Sequence, residues 1–111
     1  MKSFKQHITE AKSYKLFLDD IRNPPDNSWV VVRSYKEFTD TITKKGIPDT
    51  ISFDHDLADF SKGREWTGMD CAKWLIDQDI VIPDFKIHSA NPIGSRNITS
   101  LLNNFKKFKS K

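Results

Sequence analysis

Three short apolar segments, each followed by chemically active side chains, constrain the fold of this chain most. Residues 15–18, 50–53 and 84–87 have strand-type composition, and they run into Asp19-Asp20, Asp54-His55-Asp56 and His88-Ser89. If the runs are neighbouring parallel strands, their polar tips share one edge of one sheet. In open α/β sheets that carboxyl edge is where ligands bind. The sequence therefore predicts a functional site at this edge.

The segments between these runs predict the rest of an α/β sheet. Residues 29–33 favour a second strand, reached through a proline-containing loop at 22–27. That short link predicts either a compact parallel crossover or an antiparallel strand. Capping boxes at Ser34 and Thr67 begin two helices, and Gly46 ends the first. Strands that alternate with helical patterns are typical of βαβ units.

The remaining segments are predicted from turn signals and helical spacing. The polar residues 58–66 are expected to form a surface loop near the active edge. Pro92 and Gly94 are expected to break the chain after the last strand. A third helix is then predicted to begin at Ser95, with an apolar face of Ile98, Leu101, Leu102 and Phe105.

Composition excludes several classes of protein. The 111 residues suffice for one modest core, and the longest apolar run is far too short to span a bilayer. The single Cys71 fits a reducing compartment, which predicts a cytoplasmic protein and excludes a cysteine-rich zinc site. Net charge is +3, but residues 1–15 and 106–111 each hold four lysines, so the body is acidic. These basic ends predict at most weak contact with nucleic acid.

The acids at the strand tips suggest a metal site. Asp19, Asp20, Asp54 and Asp56 would repel one another if they converge, unless Arg22 or a hard cation such as Mg²⁺ compensates them. Each acid could instead simply cap a helix or remain in water. We expect Asp19, Asp20 and Asp54 to be the metal ligands.

Histidines and phosphate-binding groups complete the predicted site. His55 and His88 could exchange protons near neutral pH, could ligate a metal, or could be structural. Arg22, Ser89, Asn91, Ser95 and Arg96 could hold phosphate oxygens, since a helix start attracts anions. With Asp54 and Asp56 as further candidate catalytic residues, the set points to phosphate-ester chemistry. No P-loop or dinucleotide fingerprint is present.

These motifs resemble a known family. The acid pair after the first run, Ser52-Phe53-Asp54 and Thr67-Gly68-Met69-Asp70 resemble response-regulator receiver domains, in which an acid pair binds Mg²⁺. More closely, the chain resembles cyclic-phosphate processing receiver domains, marked here by residues 18–22 (LDDIR), 54–57 (DHDL), 67–70 (TGMD) and 88–92 (HSANP) with Gly94.

This resemblance implies a fold and an activity. The fold is a small receiver-like (flavodoxin-like) α/β sandwich with a mostly parallel four-stranded sheet, lacking the first helix and fifth strand of a full receiver. The activity is processing of cyclic phosphates on nucleotides or RNA ends, with Mg²⁺ or another divalent cation as a possible cofactor. The chain would then be a phosphodiesterase-like hydrolase. Alternatives are a non-catalytic nucleotide-binding module, or a phage protein that docks a host factor.

The first residues resemble something else. Residues 1–11 are similar to the capsid-targeting leader of T4-type bacteriophage internal proteins, which implies cleavage after Glu10 and possible packaging in a phage capsid. An ordinary weakly amphipathic helix is the alternative. We therefore divide the chain into a leader or arm (1–14), a receiver-like domain (15–105) and a basic tail (106–111).

Overall fold

The computed structural model describes residues 13–109 as one sheet, one hairpin and three α-helices. In chain order the elements are β1 (Lys15–Leu18), β2 (Trp29–Val32), α1 (Tyr35–Lys45), β3 (Thr50–Phe53), β4 (Asp56–Asp59), a 3₁₀ turn (Ser61–Gly63), β5 (Trp66–Thr67), α2 (Gly68–Asp77), β6 (Asp84–Ile87) and α3 (Pro92–Lys109).

The four main strands form a parallel sheet in the order β2-β1-β3-β6. This confirms the predicted receiver-like α/β fold. Of the two orientations predicted for the second strand, the parallel one is correct. The strands are aligned, with Leu18 opposite both Val32 and Phe53, and Phe53 opposite Ile87. Their carboxyl ends therefore meet at one edge.

A compact link replaces the helix that usually joins two parallel strands. Residues 19–28 connect β1 to β2, and the side chain of Arg33 binds this link. Its guanidinium donates to the backbone carbonyl oxygens of Asp19 (3.3 Å) and Arg22 (2.6 Å), and to the side chain of Asn23 (2.9 Å). These bonds satisfy carbonyl oxygens that a helix would have satisfied internally.

The core lies between one face of the sheet and the helices. Alternate strand residues such as Leu16, Leu18, Ile51 and Phe53 are fully buried there, against helix residues that include Phe38, Ile42, Leu75, Ile98 and Leu102. Phe17 points to the opposite face, since successive strand side chains alternate. There it contacts the rings of Trp29 (centroids 5.8 Å apart) and His88 (4.4 Å).

The predicted surface loop at residues 58–66 is instead part of an antiparallel hairpin formed by β4 and β5. The prediction failed because only Leu57 of β4 is buried, so the strand has no apolar pattern that sequence analysis could recognise. Backbone hydrogen bonds and stacking stabilise this hairpin in place of an apolar face. The ring of Trp66 stacks on Tyr35 at 4.4 Å, and the guanidinium of Arg64 lies 3.8 Å from the Trp66 ring.

The third helix begins at Pro92, three residues before the predicted start at Ser95. Pro92 does not break the chain, because proline is well tolerated in the first turn of a helix. The side-chain oxygen of Asn91 accepts the backbone N–H of Gly94 (2.9 Å), and the Asn91 carbonyl accepts that of Ser95 (2.9 Å). Asn91, and not Ser95, therefore caps this helix.

The division of the chain into arm, domain and basic tail stays a prediction. Helix α3 continues to Lys109, so it includes Lys106 and Lys107 from the segment predicted as the tail. The leader at residues 1–14 and its cleavage position at Glu10 fall outside the described residues, apart from Ser13 and Tyr14. Among the described residues, no helix combines the length and hydrophobicity needed to cross a membrane.

Gly68 offers a test of the packing that fixes the sheet edge. A Cβ at this position would lie 2.0 Å from the backbone oxygen of Asp54 and 3.1 Å from the Cα of His55. We expect Gly68→Ala to lower the free energy of unfolding by about 1–3 kcal/mol, because the backbone must shift to remove the overlap. The exposed Lys73 lies on the same helix, and Lys73→Ala should change stability by less than about 0.5 kcal/mol. Urea denaturation measures both; equal stability of the two variants would contradict this packing.

Candidate functional site

Three carboxylates converge at the carboxyl edge of the sheet. One oxygen from each of Asp19, Asp20 and Asp54 lies within 4.8 Å of the others. Asp19 follows β1 and Asp54 follows β3, so the parallel pairing of these strands brings the two acids together. The structure thus places the predicted ligands as one group. Clustered carboxylate oxygens are the donors that Mg²⁺ prefers.

Asp19 is fully buried, and hydrogen bonds stabilise its charge. Oδ1 accepts the backbone N–H groups of Ile21 (2.9 Å) and Arg22 (2.8 Å). Oδ2 accepts from Nε2 of His88 at 2.9 Å and lies 3.7 Å from Nε of Arg22. Burial alone would raise the pKa of Asp19, but these hydrogen bonds and the charge of His88 together lower it.

Asp54 has the opposite electrostatic balance. Burial is the largest effect and raises the pKa of its carboxyl, and the nearby charge of Asp19 raises it further. A hydrogen bond from Ser89 and the cationic groups of His88 and Arg22 only partly oppose this. The two acids lie at the tips of adjacent strands and differ in proton affinity, which is common at functional sites.

His88 has both ring nitrogens in hydrogen bonds. Nδ1 pairs with the hydroxyl of Ser52 at 2.7 Å, and Nε2 pairs with Asp19 at 2.9 Å. The ring also lies flat on Phe17, with an interplanar angle of 5°. His88 is therefore held on three sides. These contacts favour a role in orienting Asp19 over direct proton transfer to a ligand.

His55 is held by one ring nitrogen only. Its Nδ1 pairs with Asp56 at 2.8 Å, and the amide of Asn91 is 3.5 Å from the same nitrogen and 3.3 Å from Asp56. The His55 hydrogen bond is the main reason that the pKa of Asp56 is lowered. Within residues 13–109, Nε2 of His55 makes no hydrogen bond. The start of α3 packs against the ring, since a Cβ at Gly94 would lie 2.4 Å from it.

A cleft of about 320 Å³ opens beside these groups. Its lining combines site residues with residues of the β1–β2 link, the hairpin and the segment after β6, namely Asp20, Ile21, Arg22, Asp54, Asp56, Ala58, Phe60, Glu65, Ser89 and Ala90. Five of the predicted site residues therefore share one cleft. Asp19, His55, His88 and Asn91 contact that group from behind.

Ser95 and Arg96 do not line the cleft. Ser95 lies in the first turn of α3 with its backbone N–H bonded to Asn91, and Arg96 is exposed. Both are predicted at the phosphate on the expectation that the helix starts at Ser95; it starts at Pro92 instead, and Asn91, another predicted phosphate-binding residue, caps it. A role for either residue stays a prediction.

Sequence reasoning missed several residues of the site. Phe17 and Ser52 position His88 from the face of the sheet opposite the core, and only strand alternation could have indicated them. Phe60 and Glu65 reach the cleft from a hairpin that was predicted as a loop. Gly94 is predicted only to break the chain after the last strand, although its missing side chain makes room for His55.

One comparison with known proteins identifies a family. The family model described as "Cyclic-phosphate processing Receiver domain" matches residues 14–104, which is most of the chain. No curated protein and no solved structure gives a significant match. The matched range includes every residue of the cleft.

The pKa of Asp19 is lowered and that of Asp54 is raised, so removing their charges should have opposite effects on stability. The folded-state pKa of Asp54 is raised, so the wild type loses stability as pH rises through that pKa. Asp54→Asn should therefore raise Tm at pH 7, and the gain should vanish below the ordinary value of 3.8. The folded-state pKa of Asp19 is lowered, so its contribution is present above 3.8 and disappears as pH falls through the folded-state pKa.

Asp19→Asn is the matched variant with the reverse sign. We expect it to lower the free energy of unfolding at pH 7 by roughly 1.5–3 kcal/mol, the contribution of a hydrogen bond to a charged group. Thermal melts of both variants from pH 3 to pH 8, with chelator present, provide the measurement. Destabilisation by Asp54→Asn at neutral pH would contradict this electrostatic description.

Proposed function

The chain belongs to the family of cyclic-phosphate processing receiver domains, and we propose that it hydrolyses cyclic phosphates on nucleotides or RNA ends in the cleft at the carboxyl edge of its sheet. One observation carries this proposal. The carboxylates of Asp20 and Asp54 share a cleft with Arg22 and Ser89, which are suited to holding phosphate oxygens. Acid groups and phosphate donors thus face the same small volume.

Arg22 is preorganised for an anion. Its Nη1 donates to the backbone oxygen of His88 at 2.8 Å, and its Nε lies 3.7 Å from Asp19. The side chain remains 46% exposed. A guanidinium has five N–H donors, so donors remain for a phosphate. The single hydroxyl proton of Ser89 bonds Asp54, and it becomes available to a phosphate oxygen once a cation takes its place at Asp54.

The charge of the cleft supports a requirement for a cation. Asp20, Asp54, Asp56 and Glu65 line it, and Arg22 is the only cationic side chain among the lining residues. A phosphate would be repelled by this balance unless a cation offsets it. The three carboxylates within 4.8 Å fit Mg²⁺ by their chemistry, and Asp19, Asp20 and Asp54 would hold it. When bound, such an ion would neutralise charge and polarise the phosphate.

The reaction requires two proton movements. Water attacks phosphorus and loses a proton, one bond from phosphorus to a ribose oxygen breaks, and that oxygen gains a proton to leave a phosphomonoester. His55 is the better acceptor of the two histidines, because Asp56 holds its Nδ1 and leaves Nε2 for a proton. His55 does not itself line the cleft and its Nδ1 faces Asp56, so the proton has to pass around the Asp56 carboxylate by way of water. His88 acts as a positioning residue for Asp19.

Binding without cleavage is a second candidate, favoured by one observation. The two-histidine acid–base pair expected from the sequence is incomplete, since both nitrogens of His88 are already bonded. A module that only captures a nucleotide phosphate would need the donors and the cation but not the proton transfers.

The proposed function is tested by incubating the protein with a panel of cyclic phosphates, with Mg²⁺ and with chelator. The panel holds 2′,3′-cyclic nucleotides, cyclic-phosphate RNA ends, ADP-ribose cyclic phosphate and 3′,5′-cyclic nucleotides. We expect turnover of at least one substrate that chelator and Asp54→Asn each abolish. Asp49→Asn is the control, because Asp49 is exposed at the opposite end of the same strand. If the ligand binds tightly but is recovered unchanged, the hydrolase proposal is wrong and the binding module is the better account.

The assignment of His55 predicts a specific kinetic loss. His55→Ala should lower kcat about 10²- to 10⁴-fold, the usual range for a general acid or base, with little change in KM. Added imidazole should restore part of the loss, because it can occupy the vacated space. His7→Ala, which changes a histidine outside the described residues, serves as the control. Full activity of the His55→Ala variant would remove this residue from the mechanism.

A further inference from the structure

We propose that the cleft takes a nucleoside cyclic phosphate, with the base held between Phe60 and Ile21. This inference rests on the proposed function and adds the part of the substrate that lies beyond the phosphate. Phe60 is 65% exposed and Ile21 is 76% exposed, and both line the cleft that contains Asp54 and Ser89. Two large apolar side chains thus face solvent beside groups suited to a phosphate.

Phe60 is held at the cleft by an anchored hairpin. The carboxylate of Asp59 accepts the backbone N–H of Tyr35 at 3.0 Å and the hydroxyl of Ser61 at 3.0 Å. On the other strand, Trp66 stacks on Tyr35 and donates its indole N–H to the Ser61 carbonyl at 2.9 Å. The residues on both sides of Phe60 are fixed, so its exposed position is a product of the fold.

Ile21 is fixed at the same cleft by a separate contact. Its backbone N–H donates to the buried carboxylate of Asp19 at 2.9 Å, and the next N–H does the same at 2.8 Å. These bonds set the turn after β1 and hold the Ile21 side chain away from the core. The small residues Ala58 and Ala90 line the same cleft, where their side chains take up little of its volume.

A nucleobase fits these features better than a purely polar ligand. An exposed phenylalanine offers a face on which any base can stack, and such stacking is insensitive to sequence. Because Phe60 lines the same cleft as Arg22 and Ser89, one ligand can present its base to Phe60 and its phosphate to the other two residues. A volume of about 320 Å³ is at the lower end for small-molecule sites, which favours a single nucleotide over a polymer.

Phe60→Ala tests the proposal against a matched control. Phe108 is 69% exposed near the end of α3 and does not line the cleft, so Phe108→Ala removes an equally exposed ring elsewhere. Wild type and both variants are assayed with a nucleoside 2′,3′-cyclic phosphate and with glycerol 1,2-cyclic phosphate, which has no base. We expect Phe60→Ala to raise KM for the nucleoside substrate about 5- to 150-fold, the range known for loss of base stacking. KM for the glycerol substrate should not change, and Phe60→Trp should restore the nucleoside KM.

The outcomes separate this proposal from the proposed function. Hydrolysis of both substrates with an unchanged nucleoside KM in Phe60→Ala would overturn the base site and leave the hydrolase intact. If the wild type hydrolyses neither substrate, the rest of the panel decides the hydrolase, and calorimetry with a nucleoside 3′-monophosphate and Mg²⁺ decides the base site. Binding that Phe60→Ala weakens and Phe108→Ala preserves would support it. Equal binding by all variants, or no binding, would overturn it.

Discussion

The buried carboxylate of Asp19 is the interaction on which the site most depends. An isolated buried charge is costly, so it persists only where hydrogen bonds replace its hydration. Here the replacements come from the turn after β1 and from His88 after β6. One side chain therefore joins the ends of two strands that are not neighbours in the sheet.

The same carboxylate links structure to chemistry. Its charge helps to raise the pKa of Asp54, while its hydrogen bonds fix Ile21 and Arg22 at the cleft. The compact link from β1 to β2 makes this possible, because the turn after β1 is free to fold over the sheet edge where a full receiver would begin a helix. The guanidinium of Arg33 stabilises that link by bonding its carbonyl groups.

Most of the fold could be predicted from the sequence because it follows from local signals. The N-caps at Ser34 and Thr67 and the apolar strand segments can each be recognised from a few neighbouring residues. Parallel pairing then brings Asp19, Asp20 and Asp54 together. The hairpin could not be predicted, since its stability comes from long-range stacking of Trp66 on Tyr35 rather than from an apolar pattern. The residues that contact His88 could not be predicted either, because Ser52 and Phe17 lie on other strands of the sheet. The start of α3 was misplaced because both Asn91 and Ser95 can cap a helix, and sequence spacing does not decide between them.

Paramagnetic mapping tests the central claim, that cation and phosphate meet at this sheet edge, most directly. Mn²⁺ would be added at substoichiometric concentration to ¹⁵N-labelled protein, with and without a nucleoside 3′-monophosphate, and the broadening of each amide signal recorded. The account predicts the strongest broadening at the amide signals of Asp20, Asp54 and their neighbours. When the nucleotide is added, the amide signals of Ser89 and Phe60 should also change in chemical shift. Broadening centred on another part of the chain, or uniform weak broadening, would contradict it.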